Sequence, residues 1–196
     1  MRNSVLRAFV ALMFVVTMGA GKAAAQGAPA TPPAPPLSLK VAAYSDGGDI
    51  PLKYGCDVAQ GAPFITPAMT WTNTPKAAVS FVLIMHDMDG APMKASQDVT
   101  HWTVYNIPAS ASGIPEGILP DAAVAGDGMQ GKNVRGVNGY QGPCPPKGGP
   151  GHHYVFELYA VDAKLDLPAG AARADILKAM DGHVVGKSSY VGIFHH

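Results

Sequence analysis

The stretch that decides the fold is Ser80–Pro108, whose sequence is SFVLIMHDMDGAPMKASQDVTHWTVYNIP. Two apolar runs, Ser80–Met85 and Thr103–Ile107, flank a polar loop. Their length and their content of Val, Ile, Phe and Tyr predict two buried strands. We therefore expect a β-rich domain in which the two strands lead into and out of this loop.

Charged and imidazole groups lie where the two apolar runs meet the loop. His86, Asp87 and Asp89 follow the first run, and His101 precedes the second. Carboxylates and a histidine at adjacent strand ends commonly furnish the mouth of a pocket. A solvated hairpin loop explains this stretch equally well when it is taken alone.

The amino terminus predicts export. A basic start with Arg2 and Arg7, the apolar run Ala8–Ala20 and the small residues Ala23–Ala25 predict a signal peptide over residues 1–25. No cysteine directly follows the cleavage site, which argues against a lipoprotein anchor, and a retained membrane anchor is the alternative. A Pro/Ala-rich linker, 26–36, then leads to a single domain over 37–196.

Composition excludes several classes of partner. Lys plus Arg and Asp plus Glu are balanced at 14 each, and the mature chain has no cluster of basic residues, so we expect no nucleic-acid partner. No apolar run after the signal peptide approaches the length of a membrane span. Abundant Gly and Pro with few charges favour a loop-rich β protein.

The two cysteines of the chain, Cys56 and Cys144, allow one intramolecular pairing. Exported thiols tend to be oxidised, so we predict a disulfide between them that ties the amino-terminal segment to the region around Pro143. Two separately buried thiols are the alternative.

The rest of the chain adds short strands, a long loop and a helix. Residues 109–139 predict a loop of unusual length, which is more often functional than not. Ala169–Met180 is the one predicted helix, with Ala172, Ile176, Leu177 and Met180 on a common face. The remaining predicted strands are Leu37–Ala42, Ile50–Tyr54, Met69–Thr72, Tyr154–Val161 and His183–Phe194.

A second polar centre precedes the strand Tyr154–Val161. The alternation of a strand places His152 and Tyr154 on one face and His153 on the other. The preceding Gly/Pro-rich segment, 139–151, can aim successive backbone N–H groups at one point, as anion sites do, or can be only a stiff surface loop. We assign no role to His195 and His196.

Four motifs in order resemble the phosphatidylethanolamine-binding protein family, also called the Raf kinase inhibitor protein family, in its bacterial members. They are Asp87–Pro92, His101–Pro108, Tyr140–Pro146 with His152–Tyr154, and Gly182–Phe194. Three positions depart from the family pattern. Met88 replaces a proline, Gly90 is an apparent insertion that could shift Asp89, and His153 replaces an arginine.

The resemblance implies a mainly β fold, an antiparallel Greek-key β-sandwich with one or two short helices near the carboxyl terminus. It also implies a pocket for phosphate or a phosphoethanolamine-like head group. The ligand-binding residues would be Asp87, Asp89, His101, Gly142, Pro143, His152 and Tyr154. Asp87 would fix a histidine tautomer and favour its protonated form, and Asp89 would repel a bare dianion and so favour a ligand that also carries a cation.

Three other functions compete with anion binding. Asp87, Asp89, His101 and His152 could bind a metal, but neither cysteine has zinc-finger spacing and there is no His-x-x-x-His pair. A nucleophilic hydrolase lacks its Gly-x-Ser-x-Gly elbow. A regulator or inhibitor of an envelope protease or another protein partner could act through the pocket rim and loop 109–139. We therefore predict a periplasmic or secreted binding protein with no cofactor and no catalytic residues.

Overall fold

The computed structural model describes residues 34–59, 62–91 and 98–196. The predicted signal peptide, most of the predicted linker and part of the loop after Asp87 lie outside these ranges. The helix of the described residues is too short and polar to cross a membrane. Residues 34–196 form one compact unit.

Nine strands and one α-helix make up the described part of the chain. The strands are β1 (Ser38–Val41), β2 (Gly48–Asp49), β3 (Met69–Thr72), β4 (Ser80–Asp87), β5 (Val99–Pro108), β6 (Gly113–Ile114), β7 (Met129–Gln130), β8 (His152–Val161) and β9 (Val184–Phe194), and the helix is α1 (Arg173–Met180). They form a three-stranded sheet of order β1-β3-β6 and a six-stranded sheet of order β2-β9-β8-β4-β5-β7.

The six-stranded sheet is covered on both faces, which explains why β4 reads as a continuous apolar run. Phe81, Leu83 and Met85 pack into the core that both sheets share. Val82 and Ile84 point the other way, into a second apolar cluster with Ile176 and Met180 of α1. Each buried side chain of this kind contributes roughly 1.5–3 kcal/mol. Burial on both faces removes the polar alternation expected of a half-exposed strand.

The fold class expected from the sequence is confirmed as mainly β, with two packed sheets and a helix near the carboxyl terminus. The pairing is antiparallel except between β2 and β9, which are parallel. The predicted loop 109–139 contains β6, β7 and two isolated bridges, Val124–Gly128 and Lys132–Asn138. This segment is therefore partly joined to the sheets.

Two predicted elements are corrected. Ile50–Tyr54 is not a strand, because Pro51 is followed by a 3-10 turn at Leu52–Tyr54 that leaves Leu52 exposed. The helix begins at Arg173 and not at Ala169, because Gly170 adopts a left-handed conformation (φ 77°). Ile176 and Met180 are buried as expected, whereas Leu177 is exposed.

The disulfide Cys56–Cys144 predicted from the sequence is confirmed. It joins the segment after the 3-10 turn to the Gly/Pro-rich segment before β8, and these half-cystines are 88 positions apart in the sequence. The crosslink thereby fixes the loop that borders the end of β4, β5 and β8 where the polar residues gather.

Candidate functional site

A β-bulge brings His101 to the polar end of the central strands. Met85 of β4 pairs with Trp102 of β5, but the next residue, His86, pairs with Thr100, so His101 is the extra residue on β5. A bulge of this kind breaks strict alternation and re-aims one side chain. His101 consequently lies beside the Tyr154 ring of β8, with 5.0 Å between the ring centroids.

The carboxylate of Asp87 is held by hydrogen bonds on both of its oxygens. Oδ1 accepts the backbone N–H groups of Asp89 (3.0 Å) and Gly90 (2.9 Å), and Oδ2 lies 2.9 Å from Nδ1 of His152. Gly90 allows this turn, because a Cβ there would lie 2.9 Å from Asp87 Oδ2. Since a carboxylate accepts, His152 donates through Nδ1, which leaves its Nε2 uncommitted.

His101 is oriented in the same way by a backbone group. Its Nδ1 lies 2.8 Å from the Gln141 carbonyl oxygen, which can only accept, so Nε2 is again the uncommitted ring nitrogen. Burial lowers the pKa of His101 below 6.5, opposed by the Gln141 carbonyl and the charge of Asp87. His101 is therefore a neutral imidazole near pH 7, because burial outweighs the effect of Asp87, which favours the protonated form as expected.

Tyr154 contributes a buried hydroxyl group to this end of the strands. The side chain is fully buried, and its Oη makes no hydrogen bond of normal geometry with the described residues, although the Asp87 carboxylate and the Cys144 backbone lie near enough to influence its pKa. Burial raises the pKa of Tyr154, and the charge of Asp87 adds to that effect. The phenol therefore stays protonated and can donate one hydrogen bond to a group that enters the site.

These groups border a cavity of about 310 Å³. Asp87, His101 and His152 line it, whereas Gly142, Pro143 and Tyr154 are not among its lining residues. The full lining consists of Asp87, Gly90, Ala91, Val99, His101, Val134, Arg135, Gln141, Cys144, Pro145, Pro146 and His152.

Asp89 lies outside this cavity, which changes the role expected for it. Its Oδ2 accepts the backbone N–H of His153 at 2.7 Å and lies 2.8 Å from His153 Nδ1. The backbone hydrogen bond from His153 is the main reason that the pKa of Asp89 is lowered. Asp89 therefore contacts His153 on the outer face of β8 and does not face an anion in the cavity.

Gly142 has a packing role in the structure. A Cβ at this position would lie 2.7 Å from Phe64 Cδ1 and 2.7 Å from the Tyr54 carbonyl oxygen. Only glycine lets the loop approach the 3-10 turn so closely. Because the loop lies this close to the turn, Cys144, Pro145 and Pro146 form part of the cavity wall.

Sequence reasoning missed Arg135 and Gln141. Of the described residues that line the cavity, Arg135 alone carries a permanent positive charge, and its guanidinium lies 5.9 Å from the centroid of the Phe64 ring. Its position shortly before the motif Tyr140–Pro146 was the one available signal. Gln141 acts through its backbone, exchanging hydrogen bonds with His101.

His86 belongs to a separate polar cluster on the opposite face of the sheet. Its Nδ1 contacts the Asp98 carboxylate, which also contacts Arg173, and its Nε2 lies 3.5 Å from Glu157. The contact with His86 is the main reason that the pKa of Glu157 falls to about 2. Because neighbouring strand residues alternate, His86 faces α1 while Asp87 faces the cavity.

The fold and the site define a β-sandwich protein with a small polar cavity at the ends of adjacent strands. Residues 40–195 match the family profile described as phosphatidylethanolamine-binding protein. The chain belongs to the phosphatidylethanolamine-binding protein family. This confirms the resemblance drawn from the four sequence motifs.

Relatives extend over nearly the whole domain. A UPF0098 protein of Methanothermobacter thermautotrophicus is 43% identical over 159 residues, which are 81% of this chain and 98% of the relative. A solved structure from Chlamydia trachomatis, described as a homologue of the same family, is 34% identical with a TM-score of 0.71, covering 82% of this chain and 98% of that one. Escherichia coli YbcL, 23% identical with a TM-score of 0.70 over 82% of this chain and 98% of its own, shares the fold.

Proposed function

We propose that the protein binds a phosphate group, free or as the monoester of a small head group, in the cavity between the ends of β4, β5 and β8. The observation that carries this proposal is the pair of imidazoles, His101 and His152, which line the cavity with their Nδ1 atoms already committed, next to the buried Tyr154 hydroxyl. A buried polar group without a partner costs free energy, and a bound acceptor removes that cost. Phosphate oxygens are strong acceptors. They accept from the Tyr154 hydroxyl and, where an imidazole is protonated, from its Nε2.

The charges near the cavity favour an anion once Asp87 is accounted for. Asp87 receives two backbone N–H groups and His152, so its negative charge is largely compensated by its own partners. Arg135 adds a positive charge at the rim. An approaching phosphate also favours the protonated form of each imidazole, which then donates through Nε2.

The structure weakens the case for selecting an ammonium group on the ligand. That case rested on Asp89, whose carboxylate is engaged by His153 outside the cavity. Asp87 is the one acidic side chain among the described lining residues, and it is already bound. We therefore expect inorganic phosphate and phosphoethanolamine to bind with similar affinity, through the phosphate that they share.

The size of the cavity indicates a head group as the ligand. Its volume of about 310 Å³ lies at the lower end of the range of about 300–1,000 Å³ for small-molecule sites. A phosphate monoester with a short alcohol fits such a space, whereas the acyl chains of a lipid would have to remain outside it.

Isothermal titration calorimetry with inorganic phosphate and with phosphoethanolamine tests the proposal. We expect both ligands to bind and His152→Ala to abolish binding, because that variant removes one donor and leaves the Asp87 charge unpaired. His183→Ala is the matched control, since His183 lies exposed at the opposite end of the β8–β9 pair. Retention of wild-type affinity by His152→Ala would overturn the proposal.

We also propose that the protein is exported and acts by binding, without turnover. The disulfide Cys56–Cys144 supports export, because such crosslinks persist mainly in oxidising compartments. Cell fractionation with mass measurement of the mature amino terminus tests the location, and a cytosolic, uncleaved product would contradict it. Hydrolysis of a chromogenic phosphate monoester that is lost in His152→Ala would contradict the binding-only role.

A further inference from the structure

A second cluster of ligand-type side chains lies beside the disulfide. Cys56 follows the 3-10 turn, Cys144 belongs to the Gly/Pro-rich loop, and His196 follows β9. The two sulfurs and one ring nitrogen of His196 all lie within 4.8 Å of one another. The expectation that His196 has no structural role is therefore wrong, because its side chain packs against the disulfide.

Two contacts with the Gly/Pro-rich loop hold His196 in this position. The N–H of Gly148 donates to the His196 carbonyl oxygen at 2.9 Å, and His196 Nδ1 lies 3.1 Å from the Pro145 carbonyl oxygen. Upstream, the Phe194 ring occupies the space where a Cβ on Gly55 would lie, 2.0 Å from Phe194 Cζ. The strand end is thus anchored on both sides of the cluster.

One nitrogen of His196 can act as a ligand in place of a contact with Asp57. Because a carbonyl oxygen only accepts, Nδ1 carries the proton donated to Pro145, and in the neutral ring Nε2, whose neighbour is the Asp57 carboxylate, offers its lone pair to a metal that displaces that contact. Nε2 lies 3.8 Å from Cys56 Sγ and 3.3 Å from Asp57 Oδ1. A ligand histidine that donates its other N–H to a backbone carbonyl is the usual outer-shell arrangement of metal sites.

We propose that Cys56, Cys144 and His196 form a binding site for a zinc-type divalent cation when the disulfide is reduced. Tetrahedral zinc with Zn–S near 2.3 Å and Zn–N near 2.0–2.1 Å separates its sulfur and nitrogen ligands by about 3.6 Å. Cys56 Sγ lies 3.7 Å from His196 Nδ1 and 3.8 Å from Nε2, and both separations are close to that value. The proposal does not depend on the anion site.

The disulfide and the metal site are alternative states of the same two cysteines. A dithiol reductant donates two electrons and two protons to the Cys56–Cys144 bond, giving two thiols, and is itself oxidised to a disulfide. The divalent cation then binds both sulfurs as thiolates, and two protons are released to solvent. An oxidised dithiol, itself a disulfide, reverses the change: it accepts two electrons from the two thiolates and two protons from solvent to become a dithiol, the Cys56–Cys144 bond re-forms, and the divalent cation is released.

The reductant and the cation can both reach these groups. Cys144 is exposed, and exposed disulfides are the more readily reduced ones. A cavity of about 710 Å³ borders both cysteines and His196, so the cation can enter from solvent. The fourth coordination position faces this cavity, where Asp57, 53% exposed at its side chain, or a water molecule can fill it.

Cobalt(II) titration of untagged protein tests the proposal, since an added oligohistidine would bind metal itself. Protein reduced by a dithiol and desalted without oxygen is expected to bind one cobalt ion per chain. The bound ion should show tetrahedral visible bands and a thiolate-to-cobalt charge-transfer band, and zinc should displace it. Oxidised protein should bind none.

His196→Ala, which keeps the disulfide for folding, is expected to weaken cobalt binding at least tenfold, whereas the neighbouring His195→Ala should bind as the wild type does. Equal cobalt affinity in His196→Ala and wild type would overturn the site, as would reduced protein that takes up no cobalt. If reduction alone unfolds the chain, recovery of the native near-ultraviolet circular dichroism on adding zinc supports the proposal, and failure to recover it overturns the proposal.

Discussion

Asp87 and His152 lie on neighbouring antiparallel strands, with 2.9 Å between the carboxylate Oδ2 and the ring Nδ1. Asp87 pairs in register with Tyr154, so His152 reaches the carboxylate from two residues along β8 on the same face. This contact fixes the imidazole and compensates a buried negative charge at the same time. It is the central polar contact of the candidate site.

Asp87→Ala should destabilise the protein and abolish phosphate binding, because it removes the acceptor of two backbone N–H groups and of His152. We expect the free energy of unfolding to fall by about 2–4 kcal/mol, the cost of leaving several buried donors unpaired. Urea unfolding and calorimetry measure the two effects.

Asp89→Ala is the control for that variant. Its carboxylate contacts His153 and is 43% exposed, so we expect a loss of only about 0.5–1 kcal/mol and normal phosphate affinity. A loss of phosphate binding in Asp89→Ala would show that this side chain turns into the cavity when the ligand binds.

The stability of the protein should decrease on acidification in part through His101. Burial lowers the pKa of this residue in the folded state below the value of about 6.5 expected for an unfolded chain. The unfolded chain therefore binds a proton over a pH interval in which the folded protein does not, and stability rises with pH there. The stability that the protein owes to a neutral His101 is fully present above about pH 6.5. It is lost as the pH falls from that value through the lower pKa of His101 in the folded state.

His101→Gln should flatten this part of the stability profile, measured by urea unfolding between pH 7.5 and 4.5, a window of about 1–2 pH units on either side of the unfolded value. The variant is compared by the slope of its profile, because loss of the Gln141 contact also lowers its stability at every pH. An unchanged slope would mean that His101 is not the group responsible.

Arg135→Gln should weaken phosphate binding about two- to fivefold, with no change in melting temperature. The guanidinium lines the cavity from an exposed loop, so its attraction for an anion is screened by solvent. The effect should shrink at high salt. Lys132→Gln is the matched control, because Lys132 is an exposed cation of the same segment that does not line the cavity.

Loss of the crosslink in a Cys56→Ser/Cys144→Ser double variant should lower the free energy of unfolding by about 4.6 kcal/mol. That value follows from the entropy of closing a long loop, here between half-cystines 88 positions apart. Guanidinium unfolding of oxidised wild type and of the variant measures it. A difference below about 1 kcal/mol would indicate that other contacts already close this loop in the unfolded chain.

Much of the fold could be predicted because its strands carry strong local signals. The apolar runs that became β4, β5, β8 and β9 were found from composition, and the disulfide followed from the cysteine count. The parallel pairing of β2 with β9 was missed because it depends on a contact between distant segments. The turn at Leu52–Tyr54 is held by local hydrogen bonds and was missed because Ile50–Tyr54 was interpreted as a strand despite Pro51.

The residues of the candidate site also divide into those that the local sequence predicts and those that only the folded chain brings together. Asp87, His101 and His152 could be placed at strand ends from the sequence, and strand alternation gave the facing of Tyr154 correctly. The bulge at His101 could not be predicted, since it is a shift in register between two strands. Arg135 and His196 were missed because loop closure, which leaves no local pattern, brings them to their sites.

The polar groups of the cavity come from three adjacent strands, β5, β4 and β8, in that order across the sheet. Neighbouring strands are separated by about 4.8 Å, a distance set by backbone hydrogen bonding. The spacing between Asp87 and Tyr154 is therefore set by the sheet, whereas the bulge sets the position of His101. We consequently expect substitutions in the bordering loops, at Arg135 or Pro145, to change ligand preference without disturbing the pairing of the strands.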